Sequence, residues 1–385
     1  MKKNQLILFL VLACTSVLAE EPVLNPTIKP YANIQFWNVY SQNFEVAGVE
    51  MPDRVASYFR RGRVGLKGQV MDGLTYNVQC AFDYLGKSEN LSSKGKVNAS
   101  TISLWSAYFT YQPMVKSQWV MLSGGTFLPH LSRESVTSPW TTSSLDKGET
   151  STYLRRFVTG KTNGICPGIN IGGLGDIGKS HLLYNVAMIS RQDNSSYTQT
   201  EWSPLFIGHA VVTIGDKEWS SYKYTFSGNP LKKLTFLSLG VGGSTQGKTD
   251  VFKSSSTYGA DFLMLLKNFK LDGEYYWLNR KNTTDYLATC FQLRGSYNFF
   301  LQKGWVLEPA VMICQFDGDD TYQDASFYDG EDNLLDTGVN LISNKRKIKL
   351  SLHYIHRTGE ATSNHRVTSS GTYGDYFNLG IQLMI

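Results

Sequence analysis

The chain predicts an all-β fold: a transmembrane antiparallel up-and-down β-barrel of about 16 strands, with a long third loop folded into its lumen. Three observations predict it. Residues 74–84 alternate apolar and polar side chains almost without error. Leu74, Tyr76, Val78, Cys80, Phe82 and Tyr84 therefore share one strand face, and Thr75, Asn77, Gln79, Ala81 and Asp83 the other. Similar segments recur along the chain between turn signals, and a leader of the secretory type precedes them. The apolar face then meets lipid and the polar face a lumen.

In the leader, Lys2 and Lys3 form a basic start, and Leu6 to Ala13 an apolar stretch too short to span a bilayer. Val17-Leu18-Ala19 gives a small-residue cleavage site before Glu20. The alternative takes Val11-Leu12-Ala13-Cys14 as a loose lipoprotein box with Cys14 acylated. Residues 1–19 are expected to be a signal peptide and 20–385 one barrel domain in the outer membrane. Beyond the leader no apolar run approaches ~18 residues, so no helical span is expected. At about 23 residues per strand with its share of loop, ~16 strands fit, a size that leaves an aqueous channel.

Strands are expected near 31–40, 58–70, 74–84, 101–111 and 117–126. Asp72-Gly73 joins the second and third as a tight hairpin, because both residues tolerate the positive φ of a two-residue turn. A connection from about 126 to 162 follows, long enough to be functional. It holds Pro129, Pro139, Trp140, a Ser/Thr-rich middle, and the cations Arg133, Arg155, Arg156 and Lys161. Strand signals are weak after Gly164 and around 172–179; they are clearer at 182–190, 222–226, 287–297, 348–354 and 377–385. Further short turns are expected at Gln112-Pro113, Gly228-Asn229-Pro230, Lys267-Asn268 and Ser343-Asn344. Long polar stretches at 87–100, 317–336 and 357–375 alternate with them, as a meander requires.

Hydrophobic residues make up 42% of the chain and aromatics 13%, with 35 Gly and 22 Tyr, which suits strands with interfacial aromatic girdles. The net charge is +5, or +3 without Lys2 and Lys3, too small to indicate nucleic-acid binding. Past the leader the cysteines are Cys80, Cys166, Cys290 and Cys314; they fit no zinc spacing, and the sequence leaves any disulfide among them open.

Strand register turns these segments into a lining. With Val64, Leu66 and Val70 facing out, Arg61, Arg63 and Lys67 face in. Likewise Gln292, Arg294 and Ser296, then Lys347, Lys349, Ser351 and His353, point inward, with Lys223 from 222–226. Asp83, Asp272 and Glu274 also point in, yet basic groups prevail. A ring of such groups in a narrow pore concentrates anions and repels cations, and the planar fork of Arg suits phosphate. Arg60, Arg61 and Arg63 are three like charges in four residues, which repel one another unless an anion is near. Strict alternation puts Arg60 on the face opposite Arg61; either it sits in the headgroup zone or a bulge turns both inward.

Catalysis has little support. His353 and His356 lie on opposite strand faces, and no nucleophile, base and orienting group converge by spacing. The glycine-rich pieces at 172–175 and 240–243 lack the Gly-Lys-Ser/Thr of a phosphate loop. The carboxylates from Asp317 to Asp332 lack calcium-loop spacing. No metal or cofactor is expected.

The stretch Tyr58-Phe59-Arg60-Arg61-Gly62-Arg63-Val64-Gly65-Leu66, with Gly68 and then Tyr76-Asn77-Val78-Gln79-Cys80-Ala81-Phe82-Asp83, resembles the phosphate-selective porin O and P family. Similar pieces follow in the family's order: Trp105-Ser106-Ala107-Tyr108-Phe109-Thr110-Tyr111, Leu271-Asp272-Gly273-Glu274-Tyr275-Tyr276 after Tyr258-Gly259-Ala260, and Lys349-Leu350-Ser351-Leu352-His353-Tyr354 after Thr337-Gly338-Val339-Asn340-Leu341. The resemblance implies a 16-stranded homotrimer with an anion-conducting pore in each protomer, its third loop turned inward, and Arg60 and Arg61 at the constriction. Where the family tends to follow Gly125-Thr126-Phe127 with an acidic residue and glycine, this chain has Leu128-Pro129-His130. The expectation is thus a porin for small solutes biased to anions, with phosphate selectivity as its narrower form. Pore-lining and anion-binding residues are expected to be Arg60, Arg61, Arg63, Lys67, Arg133, Arg155, Arg156, Arg294, Lys347 and Lys349. The expected partners are the lipid bilayer, small anions such as phosphate and two further copies of the chain. The alternative is a non-conducting adhesin or structural barrel.

Overall fold

The computed structural model describes residues 24–43, 45–46, 49–87, 102–114, 116–191, 201–319, 330–343, 345–358 and 374–385. The expected leader, with its alternatives at Ala19 and Cys14, lies outside them. Among the described residues sixteen long strands run in chain order: β1 (Thr27–Gln42), β2 (Arg54–Met71), β3 (Leu74–Ala81), β4 (Ser103–Tyr111), β5 (Met121–Phe127), β6 (Cys166–Ile177), β7 (Ser180–Ile189), β8 (Leu205–Gly215), β9 (Leu234–Gln246), β10 (Ser254–Lys267), β11 (Phe269–Lys281), β12 (Tyr286–Tyr297), β13 (Trp305–Asp317), β14 (Glu331–Ser343), β15 (Ile348–Thr358) and β16 (Asp375–Met384). Each pairs antiparallel with its neighbour, and β1 pairs with both β2 and β16, so the sheet closes without an edge.

The alternation read from sequence is the barrel's inside–outside code. Val64, Leu66, Ile169, Ile171, Val186, Leu352 and Leu379 are exposed on the outer wall, where bilayer covers them. Tyr258 stacks on Trp277 near the loop ends, and Tyr297 meets Phe299 near the short turns, which gives an aromatic girdle at each rim. A lipid-facing Arg or Lys at the bilayer midplane would cost about 2–4 kcal/mol, so the strand cations turn in. The Asp72-Gly73 hairpin forms as read, with Gly73 at φ 77°.

Two elements differ from the sequence reading. β6 forms a well-paired strand where signals were weak, because its glycines and a proline had thinned the apolar pattern; β7 falls on the clearer segment 182–190. Residues 222–226 are not a barrel strand. They belong to the connection from β8 to β9, which enters the lumen from the short-turn end. There Thr137 and Phe226 form a parallel bridge, and His130 Nε2 lies 2.9 Å from the Tyr224 carbonyl oxygen. The third connection, between β5 and β6, folds inward as expected and carries two helices, α1 (Arg133–Val136) and α2 (Thr150–Thr159).

This loop fills the interior in place of an apolar core. Leu131, Tyr153, Leu154, Phe157 and Val158 pack with Ile189, Ile207, Tyr276, Tyr286 and Phe316 of the wall. Tyr153 stacks on Phe316 at 4.1 Å. Leu145 seats among Trp37, Tyr58, Met312 and Tyr376 on the other side. The loop leans on the wall of β8 to β16 and, apart from Leu145 and Asp146, which reach Trp37, Tyr58, Arg60 and Arg61, stands off the side formed by β1 to β4.

Candidate functional site

Between that wall and the inward loop lies a cavity of about 890 Å³. It extends from Tyr84 and Asn163 near the loop ends to Lys347 and Ile385 at the short-turn end. Its lining carries eight basic side chains, Arg60, Arg61, Arg63, Lys67, Lys147, Arg155, Lys345 and Lys347, against three acidic ones, Asp83, Asp146 and Glu149. Six aromatic residues share it: Tyr31, Tyr84, Trp105, Tyr108, Trp140 and Tyr224.

Two bulges shape this wall. The ladder between β1 and β2 pairs Gln35 with Arg61 and then Phe36 with Phe59, so Arg60 is the extra residue. A bulge lets consecutive side chains share a face, and both guanidiniums point in, Arg60 at 7% and Arg61 at 8% exposure. Gly62 is covered by the Phe82 ring, which leaves no room for a Cβ. A second shift, between Gln79 and Cys80 opposite Ser106 and Leu104, makes Trp105 the extra residue and turns it onto the cavity. Strand alternation alone could place neither.

The cations differ in how far they are neutralised. Asp146 of the loop takes both arginines of the pair: Arg60 donates to Oδ2 from Nε and Nη2 at 3.0 and 2.7 Å, and Arg61 Nη2 donates to Oδ1 at 2.5 Å. Arg61 also donates to Gln35 at 3.0 Å. Arg63 pairs with Asp83 and lies 3.9 Å from the Trp105 ring centroid. Lys67 lies over Tyr31 at 5.2 Å. Lys147 donates to the Ser135 carbonyl at 2.8 Å and Arg155 to the Ser151 carbonyl at 2.8 Å; neither forms an ion pair among the described residues. Burial, with Arg155 alongside, holds the Lys147 amine well below its usual range. Burial and then Arg61 push the Arg155 guanidinium down in the same way. Buried Lys147 and half-buried Arg155, beside Arg61, form a basic stretch of the cavity wall.

The remaining cations expected at the pore lie elsewhere. Arg294, 1% exposed, holds Glu134 of α1 at 2.8 Å and Asp272 at 2.6 Å. Arg133 pairs with Glu218 at 2.7 Å and Asp261 at 3.4 Å. Lys349 donates to the Thr142 carbonyl at 2.8 Å. None of the three faces the cavity: Arg294 and Lys349 sit on strands against which the loop presses, and Arg133, on α1 of the loop, reaches Asp261 of β10 and Glu218 of the β8–β9 connection. Arg156 is half-buried on α2, away from the cavity lining. Lys223 is carried by the inserted connection. Asp146, Lys147 and Lys345 escaped the sequence reading. An Asp-Lys pair in a Ser/Thr-rich loop carries no periodic signal, and only the fold brings it beside β2. Among the described residues Cys80, Cys166, Cys290 and Cys314 are free thiols, and no group of His, Cys, Asp and Glu is placed to hold a metal.

Comparison with known proteins accords with this architecture. An anion-selective porin from Comamonas acidovorans is similar over 94% of this chain and 100% of its own, at 12% identity and a TM-score of 0.59. The high-pH structure of Pseudomonas putida OprB is similar over 93% of each chain, at 8% identity and TM-score 0.55. OmpT of Vibrio cholerae, an outer-membrane protein, is similar over 94% of this chain and 98% of its own, at 10% identity and TM-score 0.52. At such identities the likeness shows the fold. No curated protein matches the sequence. The family model described as phosphate-selective porin O and P matches residues 33–385, nearly all of the barrel, and the chain therefore belongs to that family.

Proposed function

We propose that the barrel is an outer-membrane channel for passive diffusion of small solutes, biased toward anions, with the cavity beside β1 to β4 as its path. One observation carries the reading: eight basic side chains line that cavity against three acidic ones, and Lys147 and Arg155 among them have no ion pair among the described residues. Such a wall lowers the entry barrier for anions, and weak contacts at several cations let them leave again. Arg60, Arg61, Arg63, Lys67, Arg155 and Lys347 are the cations assigned to the path. Arg133, Arg294 and Lys349 hold the loop that shapes it. No covalent chemistry is involved. Because Arg60 and Arg61 already carry the Asp146 carboxylate, the reading is a general anion path with phosphate as one of its solutes. Family membership supports assembly as a homotrimer.

Planar-bilayer recording under a chloride gradient, then with phosphate added, tests the function. An anion-side reversal potential supports it. Absence of conductance would favour an adhesin or structural barrel. Replacing Arg60 and Arg61 together with Ala leaves Asp146 unneutralised on the path. The reversal potential should then move toward cations, with the anion-to-cation permeability ratio falling several-fold; an unchanged ratio removes the pair from the filter.

A further inference from the structure

We propose that the β8–β9 connection is a plug that closes the cation-free side of the lumen and confines solutes to the basic wall. The connection then sets anion selectivity as much as the cations do. The inference rests on the diffusion reading and adds a specificity-determining element to it.

The wall is unevenly charged. β5 to β9, five adjacent strands, contain no Lys or Arg, whereas β2 alone carries Arg54, Arg60, Arg61, Arg63 and Lys67. Neighbouring strands lie ~4.8 Å apart, which puts β6 to β9 roughly 20–35 Å around the wall from β2. The Debye length at 0.1 M is about 10 Å. An open passage along that side would feel little of the basic field and admit ions of either sign. A 16-stranded sheet leaves such a passage unless something fills it.

The connection fills it. Trp219 and Phe226 pack on Leu183 of β7 and Val211 of β8, together with Val136 of α1. Tyr222 donates to Asn185 at 2.5 Å and accepts from Asn170 at 3.2 Å, and Ser238 of β9 donates to Glu218 at 2.5 Å. Leu183, Val211, Thr213 and Ser238 are each 0% exposed on this inner face. On its other side the connection presents Tyr224 and Thr225 to the cavity. One segment thus seals the neutral wall and forms a side of the path.

Two sets of bonds hold it in place. Ser138 N–H donates to the Phe226 carbonyl at 2.9 Å, Phe226 N–H to the Val136 carbonyl at 3.1 Å, and Gly228 N–H to Thr141 Oγ1 at 2.9 Å. These zip the plug to the inward loop. Buried Asn229 is the peg at the short-turn end. Its amide pairs reciprocally with that of Asn298 at 2.9 and 3.2 Å and donates to Glu308 at 2.5 Å. A hairpin needs only two residues between its strands, so the extra length of this connection is given to the lumen.

The test replaces residues 217–234 by Asn-Gly. Asp216 N–H already donates to the Thr235 carbonyl at 2.9 Å, so a two-residue turn closes the hairpin there. The shortened barrel is compared with the unmodified one and with Asn229→Ala, which removes the peg alone. Heat-modifiable migration on gels confirms folding; if the shortened barrel does not migrate as folded, Asn229→Ala carries both readings. Bilayer recording gives conductance and reversal potential. Thr213→Cys, placed in each background, reads whether water reaches the sealed wall, through labelling by a charged thiol reagent located by mass, which requires no conductance. Shortening should raise conductance about twofold or more, bring the anion-to-cation permeability ratio close to unity, and turn the Thr213→Cys site from protected to labelled. Asn229→Ala should show brief steps to the larger level and partial labelling. Persistent protection after shortening overturns the seal. Labelling with an unchanged permeability ratio overturns the role in selectivity. Labelling on shortening with no current from any of the barrels overturns the diffusion reading and leaves the seal standing.

Discussion

Arg63 and Trp105 show how a single side chain becomes legible only through its neighbour. Strand alternation places Arg63 inward. It says nothing of Trp105, which reaches the lumen because the ladder slips by one residue beside it. The guanidinium then lies 3.9 Å from the indole centroid while Asp83 holds its edge. That contact contributes about 0.5–2 kcal/mol and narrows the cavity with a flat apolar wall. Trp105→Ala should therefore raise single-channel conductance, leave the anion bias in place because Arg63 and Asp83 stay paired, and lower thermal stability by roughly 1 kcal/mol. An unchanged conductance would mean that Trp105 lies off the path. Arg60 is the companion case. The three-arginine run foretold that an anion must be near, and one is. Its source, Asp146, lies in a loop with no periodicity to read.

At the scale of elements, the strands with clean alternation were legible and the ones lacking it were not. The hairpin at Asp72-Gly73, the last strand and the long third connection follow from local chemistry. The strand after Gly164 was obscured by glycines that a closed sheet tolerates. Residues 222–226 carry a strand-like composition because Tyr224 and Phe226 pack against His130 of the inward loop while Tyr222 hydrogen-bonds Asn170 and Asn185 of the wall, contacts that demand the same aromatic residues as a strand would. For the same reason the lumen cations divided into two kinds that sequence cannot separate: those facing the cavity and those facing the loop. Arg294 decides the second kind. It is the buried partner of both Glu134 and Asp272. Its removal leaves Glu134 without its ion-pair partner and Asp272 with Lys270 alone, a loss of about 3–5 kcal/mol. Arg294→Ala should loosen α1 from the wall, seen as new protease cleavage within 133–149 and a larger, noisier channel, with the barrel itself still heat-modifiable. Arg294→Lys, which keeps the charge but not the fork, should recover only part of the protection. A protease-resistant, quiet Arg294→Ala channel would show that the aromatic packing of α2 suffices.

At the scale of the whole molecule, a chain with a net charge of only +5 owes any selectivity to placement. Closing the sheet puts basic residues from β2 and the β14–β15 turn on one cavity with those of the inward loop, while matching acids are consumed in the anchors of that loop. The field in the cavity is thus the sum of several partly exposed cations and a few sealed ones, and the two respond differently to salt. The Debye length is ≈10 Å at 0.1 M and 3 Å at 1 M, and screening acts mainly on exposed charges. Lys67, Lys345 and Lys347 are more exposed toward the short-turn end, whereas Arg60, Arg61 and Arg63 are buried. Raising chloride from about 0.1 M to about 1 M should therefore lower the anion-to-cation permeability ratio several-fold without bringing it to unity. The residue that survives at high salt should vanish in the Arg60→Ala, Arg61→Ala double variant, and the salt-sensitive part should shrink in Lys67→Ala, Lys347→Ala. A ratio independent of salt in the unmodified channel would assign all of the selectivity to the buried pair and none to the mouth.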